Sequence, residues 1–273
     1  MKVPVALTIA GSDPSGGAGV QADLKTFHQR GVYGASAVTL LTVQNTQRVD
    51  AVQVLAPELV EAQVRAVIED IPPAAAKTGA LGDERVVRLV AELAEGFDFP
   101  LVVDPVMVSK HGRALLTAPA RRALGELLLP RAHLVTPNLP EAEELAGMPV
   151  RDLDGMKAAA VAIVARGARA ALVKGGHLEG GGRPVDVLYS EATGLMCLDA
   201  PRIETRHTHG TGCTYSACIT AELAKGAPLA DAVTLAKEFI TRAVESAPGL
   251  GRGSGPVNHF ADVPDARSGR RRG

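Results

Sequence analysis

Residues 3–31 have the sequence VPVALTIAGSDPSGGAGVQADLKTFHQRG. The apolar run Val3–Ala10 predicts a buried strand, and the amphipathic pattern over Val20–Arg30 predicts a helix that ends at Gly31. A glycine-rich loop joins the two elements. A strand that passes through a short loop into a helix is the building unit of α/β folds with parallel sheets.

The same alternation repeats along the rest of the chain. Further strands are predicted at Ser36–Val43, Ala74–Lys77, Leu101–Asp104, Leu134–Thr136 and Ala170–Lys174, followed by a hairpin-type pair at Val185–Tyr189 and Leu195–Asp199. Helices are predicted at Pro57–Glu69, Asp83–Glu95, Pro119–Leu129, Pro140–Ala146, Leu153–Arg166, Gly212–Lys225 and Pro228–Ser246. This order predicts a three-layer α/β/α sandwich with a mostly parallel central sheet, in which ligands bind at the carboxyl ends of the strands.

The composition agrees with one soluble globular domain. Of the 273 residues, 46% are hydrophobic and 22% are charged, which excludes disorder, collagen and coiled coil. A net charge of -1 offers no basic surplus for nucleic acid, and no apolar run reaches the ~20 residues of a membrane span. Three cysteines without a C-x-x-C spacing favour a reducing, cytoplasmic location. We expect one domain over residues 1–260 and a disordered basic tail over 261–273.

The first glycine loop, residues 11–19, brings backbone amides close to a ligand. Residues 17–22 match the dinucleotide fingerprint G-x-G-x-x-A, but no Asp or Glu lies between Lys25 and Val49 to hold a ribose. We therefore reject the hypothesis that this loop binds a dinucleotide. The chain also lacks a Gly-Lys dipeptide, so it has no Walker A loop. A flexible turn without a ligand stays the alternative.

The second glycine loop is the sharpest local signal. His207-Thr208-His209-Gly210-Thr211-Gly212-Cys213-Thr214 opens a predicted helix, where free amides and the helix dipole build an anion hole suited to a phosphoryl group. Cys213 lies in the first helical turn, which typically lowers a thiol pKa, so it is a candidate base. Two alternatives stay open: a small buried cysteine, and a zinc site of His207, His209 and Cys213. Cys218 lies on an apolar helical face and is expected in the core.

Polar side chains follow several predicted strands. Asp104 and Glu141 lie just past strand ends, where carboxylates hold a hydrated Mg²⁺ beside phosphates. Lys174 ends another strand before two glycines. Taken alone, Glu141 also fits an ordinary acid facing a helix dipole, and Lys174 a solvated lysine.

Two further residues are candidates for ligand contact. Gln44 follows an apolar strand, and its amide offers the donor and acceptor that read the edge of a heterocycle. Asp23 falls on the apolar face of its predicted helix, where a carboxylate is costly without a partner. We therefore expect Asp23 to point at a ligand or at a structural amide.

Seven stretches together closely resemble the hydroxymethylpyrimidine/phosphomethylpyrimidine kinases, a branch of the ribokinase-like superfamily. They are AGSDPSGGAGVQADLKT (residues 10–26), VQNT (43–46), DPVM (104–107), TPNLPEA (136–142), KGGH (174–177), THGTGCT (208–214) and GPVNHF (255–260). They occur in order over nearly all of residues 1–260. The resemblance implies a ribokinase-like fold and transfer of the ATP γ-phosphate to 4-amino-5-hydroxymethyl-2-methylpyrimidine and then to its monophosphate, in thiamine biosynthesis.

The resemblance also implies roles for the candidate residues. Gln44 would bind the pyrimidine, with Asp23 and Gly11 near it. The anion hole would consist of Gly210, Thr211, Gly212 and Cys213, with Cys213 in the place of the aspartate base of most ribokinase-like enzymes. Asp104 and Glu141 would serve Mg²⁺, and Lys174 would bind the nucleotide phosphates. Such enzymes are commonly homodimers.

One position departs from the family pattern. Ala80 stands where relatives often carry Met, and a smaller side chain there would loosen selection among ring substituents. A pyridoxine or pyridoxal kinase is the nearest alternative, because these substrates also carry a hydroxymethyl group on a ring. A non-catalytic pyrimidine or nucleotide sensor is the alternative from another class, and a ribokinase-like sugar kinase is disfavoured because Cys213 replaces the aspartate.

Overall fold

The computed structural model describes residues 3–110, 112–176 and 183–263 and contains a nine-stranded sheet in the order β3-β2-β1-β4-β5-β6-β7-β8-β9. The strands are β1 (Val5–Ser12), β2 (Tyr33–Gln44), β3 (Val49–Val54), β4 (Ala75–Thr78), β5 (Leu101–Val103), β6 (Leu134–Val135), β7 (Ala170–Lys174), β8 (Val185–Ser190) and β9 (Gly194–Asp199). Six strands, from β2 through β1 to β7, are parallel, whereas β3, β8 and β9 are antiparallel to their neighbours. The predicted mostly parallel sheet is confirmed.

Eight α-helices cover the two faces of the sheet in the described part of the chain. They are α1 (Gly19–Gln29), α2 (Pro57–Asp70), α3 (Glu84–Ala94), α4 (Ala118–Ala123), α5 (Leu139–Ala146), α6 (Leu153–Ala165), α7 (Thr211–Ala224) and α8 (Leu229–Glu245). One apolar core lies between the sheet and helices α1, α7 and α8, and the other lies under α2 to α6. The fold is the three-layer sandwich that the alternation predicts.

The strand order places the functional end of the molecule. Strand β2 lies on one side of β1. Strand β4, which the chain reaches later through β3 and α2, lies on the other side. Right-handed crossovers in opposite directions place α1 and α2 on opposite faces of the sheet, and the loops after β1 and β4 diverge. A crevice opens at such a switch point, beyond the carboxyl ends of the strands.

Several elements differ from the sequence-based expectation. Strand β3 was not predicted, because its residues VDAVQV are half-buried or exposed and pair only with the outer edge of β2. The helix predicted over Pro119–Leu129 is α-helical only to Ala123. It continues as a π-helical segment, Leu124–Leu128, and a 3-10 turn, Leu129–Arg131, in which Pro130 supplies no backbone N–H.

The C-terminal boundary also differs. Ala261 and Val263 are buried, and the Arg30 guanidinium donates to the Val263 carbonyl at 2.7 Å. The packed chain therefore extends past the expected boundary at residue 260. The rest of the expected tail, 264–273, lies outside the described residues. No helix in the described ranges is long and apolar enough to cross a membrane.

Candidate active site

A cavity of about 1000 Å³ lies at the carboxyl ends of the parallel strands. Its walls combine both glycine loops with the polar residues that follow β2, β5 and β7. The predicted site residues that line it are Gly11, Gln44, Asp104, Glu141, Lys174, Gly210, Thr211, Gly212 and Cys213. Tertiary packing thus brings together nine of the ten candidates, and Asp23 is the exception.

The two glycine loops interlock at the start of α7. Gly210 caps this helix with φ +78°, in the left-handed region that favours glycine. A Cβ at Gly210 would lie 1.7 Å from the Gly17 carbonyl oxygen, so only glycine permits this approach. The first amides of α7 consequently face the cavity at the positive end of the helix dipole, an arrangement that binds anions.

Cys213 lines the cavity in the first turn of α7. Burial raises the pKa of its thiol to about 12, and the nearby Lys77 ammonium offsets this only in part. The expectation of a lowered pKa is therefore wrong, because desolvation outweighs the helix dipole. The thiol is protonated at neutral pH. Cys218 is fully buried in the core, as expected.

Asp104 holds a buried polar cluster beside the start of α7. Its Oδ1 accepts hydrogen bonds from Lys174 Nζ and Thr136 Oγ1, both at 3.1 Å, and its Oδ2 accepts one from Ser216 Oγ at 3.3 Å. A Cβ at Gly212 would lie 3.4 Å from Lys174 Nζ. The Lys174 cation therefore lies next to the α7 amides, where both can neutralise the same anionic group.

Glu141 has a second function besides facing the cavity. It forms a capping box at the start of α5: its carboxylate accepts from Asn138 N–H at 2.9 Å, while Asn138 Oδ1 accepts from Glu141 N–H at 3.0 Å. Burial raises the pKa of Glu141 to about 7, although Lys174 acts in the opposite direction. The interpretation as an acid at a helix N-terminus is thus correct in geometry, and it does not exclude a ligand role.

Asp104 and Glu141 supply the oxygen donors that suit Mg²⁺. The described residues contain no group of three His, Cys, Asp or Glu side chains arranged to hold a metal ion. A cation here would depend on these two carboxylates, water and a phosphate ligand. The proposed zinc site of His207, His209 and Cys213 gains no support from this arrangement.

Asp23 lies behind the cavity with no exposed surface. Its Oδ2 accepts from Lys77 Nζ at 2.9 Å and from Thr8 Oγ1 at 2.6 Å, and Lys77 is also fully buried. Burial alone would lower the pKa of Lys77, but Asp23 and the neighbouring acidic groups reverse the shift and hold the lysine in its charged form. The expectation that Asp23 points at a ligand or at a structural amide is therefore wrong: its charged partner is a lysine on β4, and Asp23 does not line the cavity.

A second acidic partnership joins the two loops. Asp13 Oδ2 lies 2.8 Å from His209 Nε2, and the same ring nitrogen lies 3.2 Å from the Gln44 side-chain amide. Asp13 thereby connects the first glycine loop to the residue that precedes Gly210.

One protein family matches most of the chain. Residues 13–258 match the family model described as Phosphomethylpyrimidine kinase. The chain belongs to the phosphomethylpyrimidine kinase family. The hydroxymethylpyrimidine/phosphomethylpyrimidine kinase of Bacillus subtilis (strain 168) is 45% identical over 262 residues, which cover 96% of each chain.

Solved structures of other phosphomethylpyrimidine kinases and of pyridoxal kinases share the fold. The ADP complex of Bacillus subtilis pyridoxal kinase superposes with a TM-score of 0.88 at 41% identity and covers 95% of this chain and 98% of its own. The phosphomethylpyrimidine kinase of Clostridium difficile 630 gives a TM-score of 0.79 at 42% identity, with coverages of 89% and 100%. The ribokinase-like fold is confirmed by this likeness.

Asp13 and, in its bonding role, His209 line the cavity but are not among the candidates predicted from the sequence, and neither is Lys77, which lies behind the cavity. All four residues of β4 are buried, so a short strand without polar–apolar alternation is the signal that could have marked Lys77 as a buried cation. Asp13 lies inside the quoted loop, where an Asp followed by Ser and Gly signals a side chain that binds its own backbone. The link between Asp13 and His209 spans 196 positions and has no local signal.

Proposed function

We propose that this kinase transfers the ATP γ-phosphate to the hydroxymethyl group of 4-amino-5-hydroxymethyl-2-methylpyrimidine and then to its monophosphate, in thiamine biosynthesis. One observation carries the proposal: the α7 amides, Lys174 and Asp104 converge on the cavity that also contains Gln44. A pyrimidine bound at Gln44 would therefore lie in the same cavity as the amides of the proposed anion hole. The relatives named hydroxymethylpyrimidine/phosphomethylpyrimidine kinase support the substrate assignment.

The proposed mechanism relies on positioning and charge stabilisation. Gln44 and Gly11 place the ring so that the hydroxyl faces the start of α7. The amides of Gly210 to Cys213 and the Lys174 ammonium stabilise the charge that develops on the transferred phosphoryl group. Asp104 and Glu141 would hold a Mg²⁺ ion, which would supply positive charge to offset the phosphate charge.

The role of Cys213 follows from its protonation state. A protonated thiol cannot remove the hydroxyl proton at neutral pH, so Cys213 orients the hydroxyl, whose proton leaves late in the reaction. Replacing Cys213 by Ala should lower kcat by less than the ~10²-fold expected for loss of a general base. A larger loss would restore the base assignment.

The direct test is ADP release with Mg-ATP, with the hydroxymethylpyrimidine, its monophosphate and pyridoxal offered in parallel. Turnover on both pyrimidines is expected. The matched control is Asp104→Asn, which keeps the size of the side chain and should abolish turnover while ring binding persists. Ring binding without ADP release by the unmodified protein would contradict the proposal and favour the non-catalytic sensor.

A pyridoxal kinase activity is the second candidate, favoured by Ala80. This small side chain lines the cavity beside Gly11, whose Cβ position lies 3.6 Å from it, and the chain superposes on pyridoxal kinases. The protein should then phosphorylate pyridoxal, and Ala80→Met should reduce that turnover by at least ~10-fold while pyrimidine turnover is preserved. This result would establish the pyridoxal kinase activity. An unchanged ratio of the two activities would exclude Ala80 as the cause.

We also propose a homodimer of a single-domain cytoplasmic protein. Leu41 and Val43 on β2 are about half exposed and project on one face beside the antiparallel strand β3. A second copy covering this face would explain the exposed side chains. Light scattering should give twice the chain mass, and a Leu41→Asp/Val43→Asp variant should be monomeric; a monomeric unmodified protein would contradict the proposal.

A further inference from the structure

The Asp13 carboxylate is surrounded by donors. Its Oδ1 accepts from Ser15 N–H at 2.9 Å and Ser15 Oγ at 2.7 Å, and its Oδ2 accepts from Gly17 N–H at 3.2 Å and Ala18 N–H at 2.9 Å. Burial by itself would raise the pKa of Asp13, but the hydrogen bonds from His209 and Ser15 outweigh it and hold that pKa below its usual value. Asp13 is therefore an anion that can only accept hydrogen bonds.

This anion fixes the protonation of His209. The imidazole Nε2 lies 2.8 Å from Asp13 Oδ2, and both side chains are buried. Two acceptors at this distance would repel each other, so Nε2 carries a proton and donates it to Asp13. The conclusion holds for the neutral Nε2–H tautomer and for the imidazolium.

The protonated Nε2 in turn constrains Gln44. The Gln44 side-chain nitrogen, Nε2, is the amide atom that lies 3.2 Å from His209 Nε2. A nitrogen that already donates cannot accept from the Gln44 NH₂ group, whereas it can share its proton with the Gln44 carbonyl oxygen. The nitrogen and oxygen of a terminal amide exchange places by rotation about one bond, so the favourable state turns Oε1 toward His209.

We propose that His209, held by Asp13, is a positioning residue that orients the Gln44 amide with its NH₂ group toward the substrate. Gln44 then presents a donor, and the opposing ring atom must be an acceptor. In the hydroxymethylpyrimidine this atom is the ring nitrogen next to the amino-bearing carbon. This inference rests on the proposed function, because it assigns the ring-reading role of Gln44.

The test compares two ligands across variants. Calorimetry gives the Kd of the hydroxymethylpyrimidine and of an analogue with C–H in place of that ring nitrogen, both without ATP. The unmodified protein should prefer the pyrimidine by roughly 5-fold or more, since the analogue leaves a donor unpaired. His209→Phe should bring this ratio close to one, and His209→Gln, which keeps a donor, should restore part of it.

His207→Phe is the matched control, because His207 lies in the same loop but does not line the cavity. It should leave the ratio at the value of the unmodified protein, which separates orientation of Gln44 from general disturbance of the loop. Nitrogen-15 NMR of the imidazoles, assigned by the signal lost in His209→Phe, should show a protonated Nε2.

Three results would overturn the proposal. The first is an unprotonated Nε2 at His209. The second is a ratio that His209→Phe preserves and Gln44→Ala abolishes, which would mean that Gln44 is oriented without His209. The third is a ratio that Gln44→Ala preserves, which would remove Gln44 as the ring reader. ADP release from the parent pyrimidine tests the proposed function separately, so the two failures are distinguishable.

Discussion

At Cys213 two opposing influences act on one thiol. The Lys77 ammonium and a hydrogen bond from the Gly19 backbone stabilise a thiolate, while burial and the neighbouring carboxylates favour the thiol. Burial is the largest influence and sets the pKa at about 12. Position in a helix turn is visible in a sequence, but desolvation is a property of the assembled site.

The reactivity of the cysteines should follow this balance. At pH 8 only about one in 10⁴ Cys213 side chains is ionised at a pKa of about 12, whereas Cys197 is exposed. Iodoacetamide should therefore modify Cys197 first and Cys213 far more slowly, as followed by peptide mass mapping. The Cys197→Ala variant should show only the slow reaction; equally fast modification of Cys213 would contradict the raised pKa.

Glu141 gives a pH dependence with a defined direction. Its pKa is about 7 in the folded protein and ~4.3 in an unfolded chain, so folding takes up a proton between these values. The free energy of unfolding should therefore fall by ~2–3 kcal/mol as pH rises from ~4.5 to ~7. Glu141→Gln should remove this component, which urea titrations at a series of pH values would measure.

At the scale of elements, one ion pair ties helix α1 to strand β4. Asp23 and Lys77 have no exposed surface, and the side chain of Thr8 on β1 completes the contact. Three elements thus meet at a buried charge pair beneath the cavity.

Removing one partner of the Asp23–Lys77 pair should lower the free energy of unfolding more than removing both partners. Lys77→Met leaves the Asp23 charge buried with only the Thr8 hydroxyl as a partner and should destabilise the protein by ~3–5 kcal/mol, whereas Asp23→Leu/Lys77→Met should recover most of that loss. Chemical denaturation measures both. Equal destabilisation by the single and the double variant would mean that packing, and not charge, dominates at this position.

The two ends of α7 offer a matched pair of glycines. Gly210 and Gly226 have φ of +78° and +80°, but a Cβ meets the Gly17 carbonyl only at Gly210. Gly226→Ala should cost the ~1–2 kcal/mol of left-handed strain. Gly210→Ala should in addition force the glycine loops apart and abolish phosphoryl transfer. Similar stability and activity of the two variants would exclude the interlocked loops as the reason for glycine.

At the scale of the whole molecule, the C-terminal segment closes the site from behind. Val257 N–H donates to the His209 carbonyl, and His259 Nε2 lies 3.1 Å from Thr214 Oγ1 in the first turn of α7. The last described residue, Val263, is buried against Arg30. Residues 257–263 therefore support both the start of α7 and helix α1.

Shortening the chain from its C-terminus should show whether this segment supports the site. A chain ending at Val263 should keep the melting temperature and the ADP release of the full protein, because every contact described above is retained. A chain ending at Leu250 should lose both, since it lacks the partners of His209 and Thr214. Preserved activity in the shorter chain would show that the segment does not support the site.

The sequence by itself determined the alternation of strands and helices, the α/β class and nine of the residues that reach the cavity. These are local properties: an apolar run, a glycine loop at a helix start, an Asp or Lys at the end of a strand. Parallel strands place such ends at one edge of the sheet, so nine of the ten candidate residues meet there.

Only the tertiary structure decided the partners and the protonation states. The position of Lys77 shows that Asp23 turns away from the cavity. The position of Asp13 shows which side chain forms the hydrogen bond with His209. Strand β3 forms because β2 offers it an edge, not because its own pattern requires a strand. Burial set the pKa values of Cys213 and Glu141, because desolvation and charge pairing depend on which groups the fold brings together from distant parts of the chain.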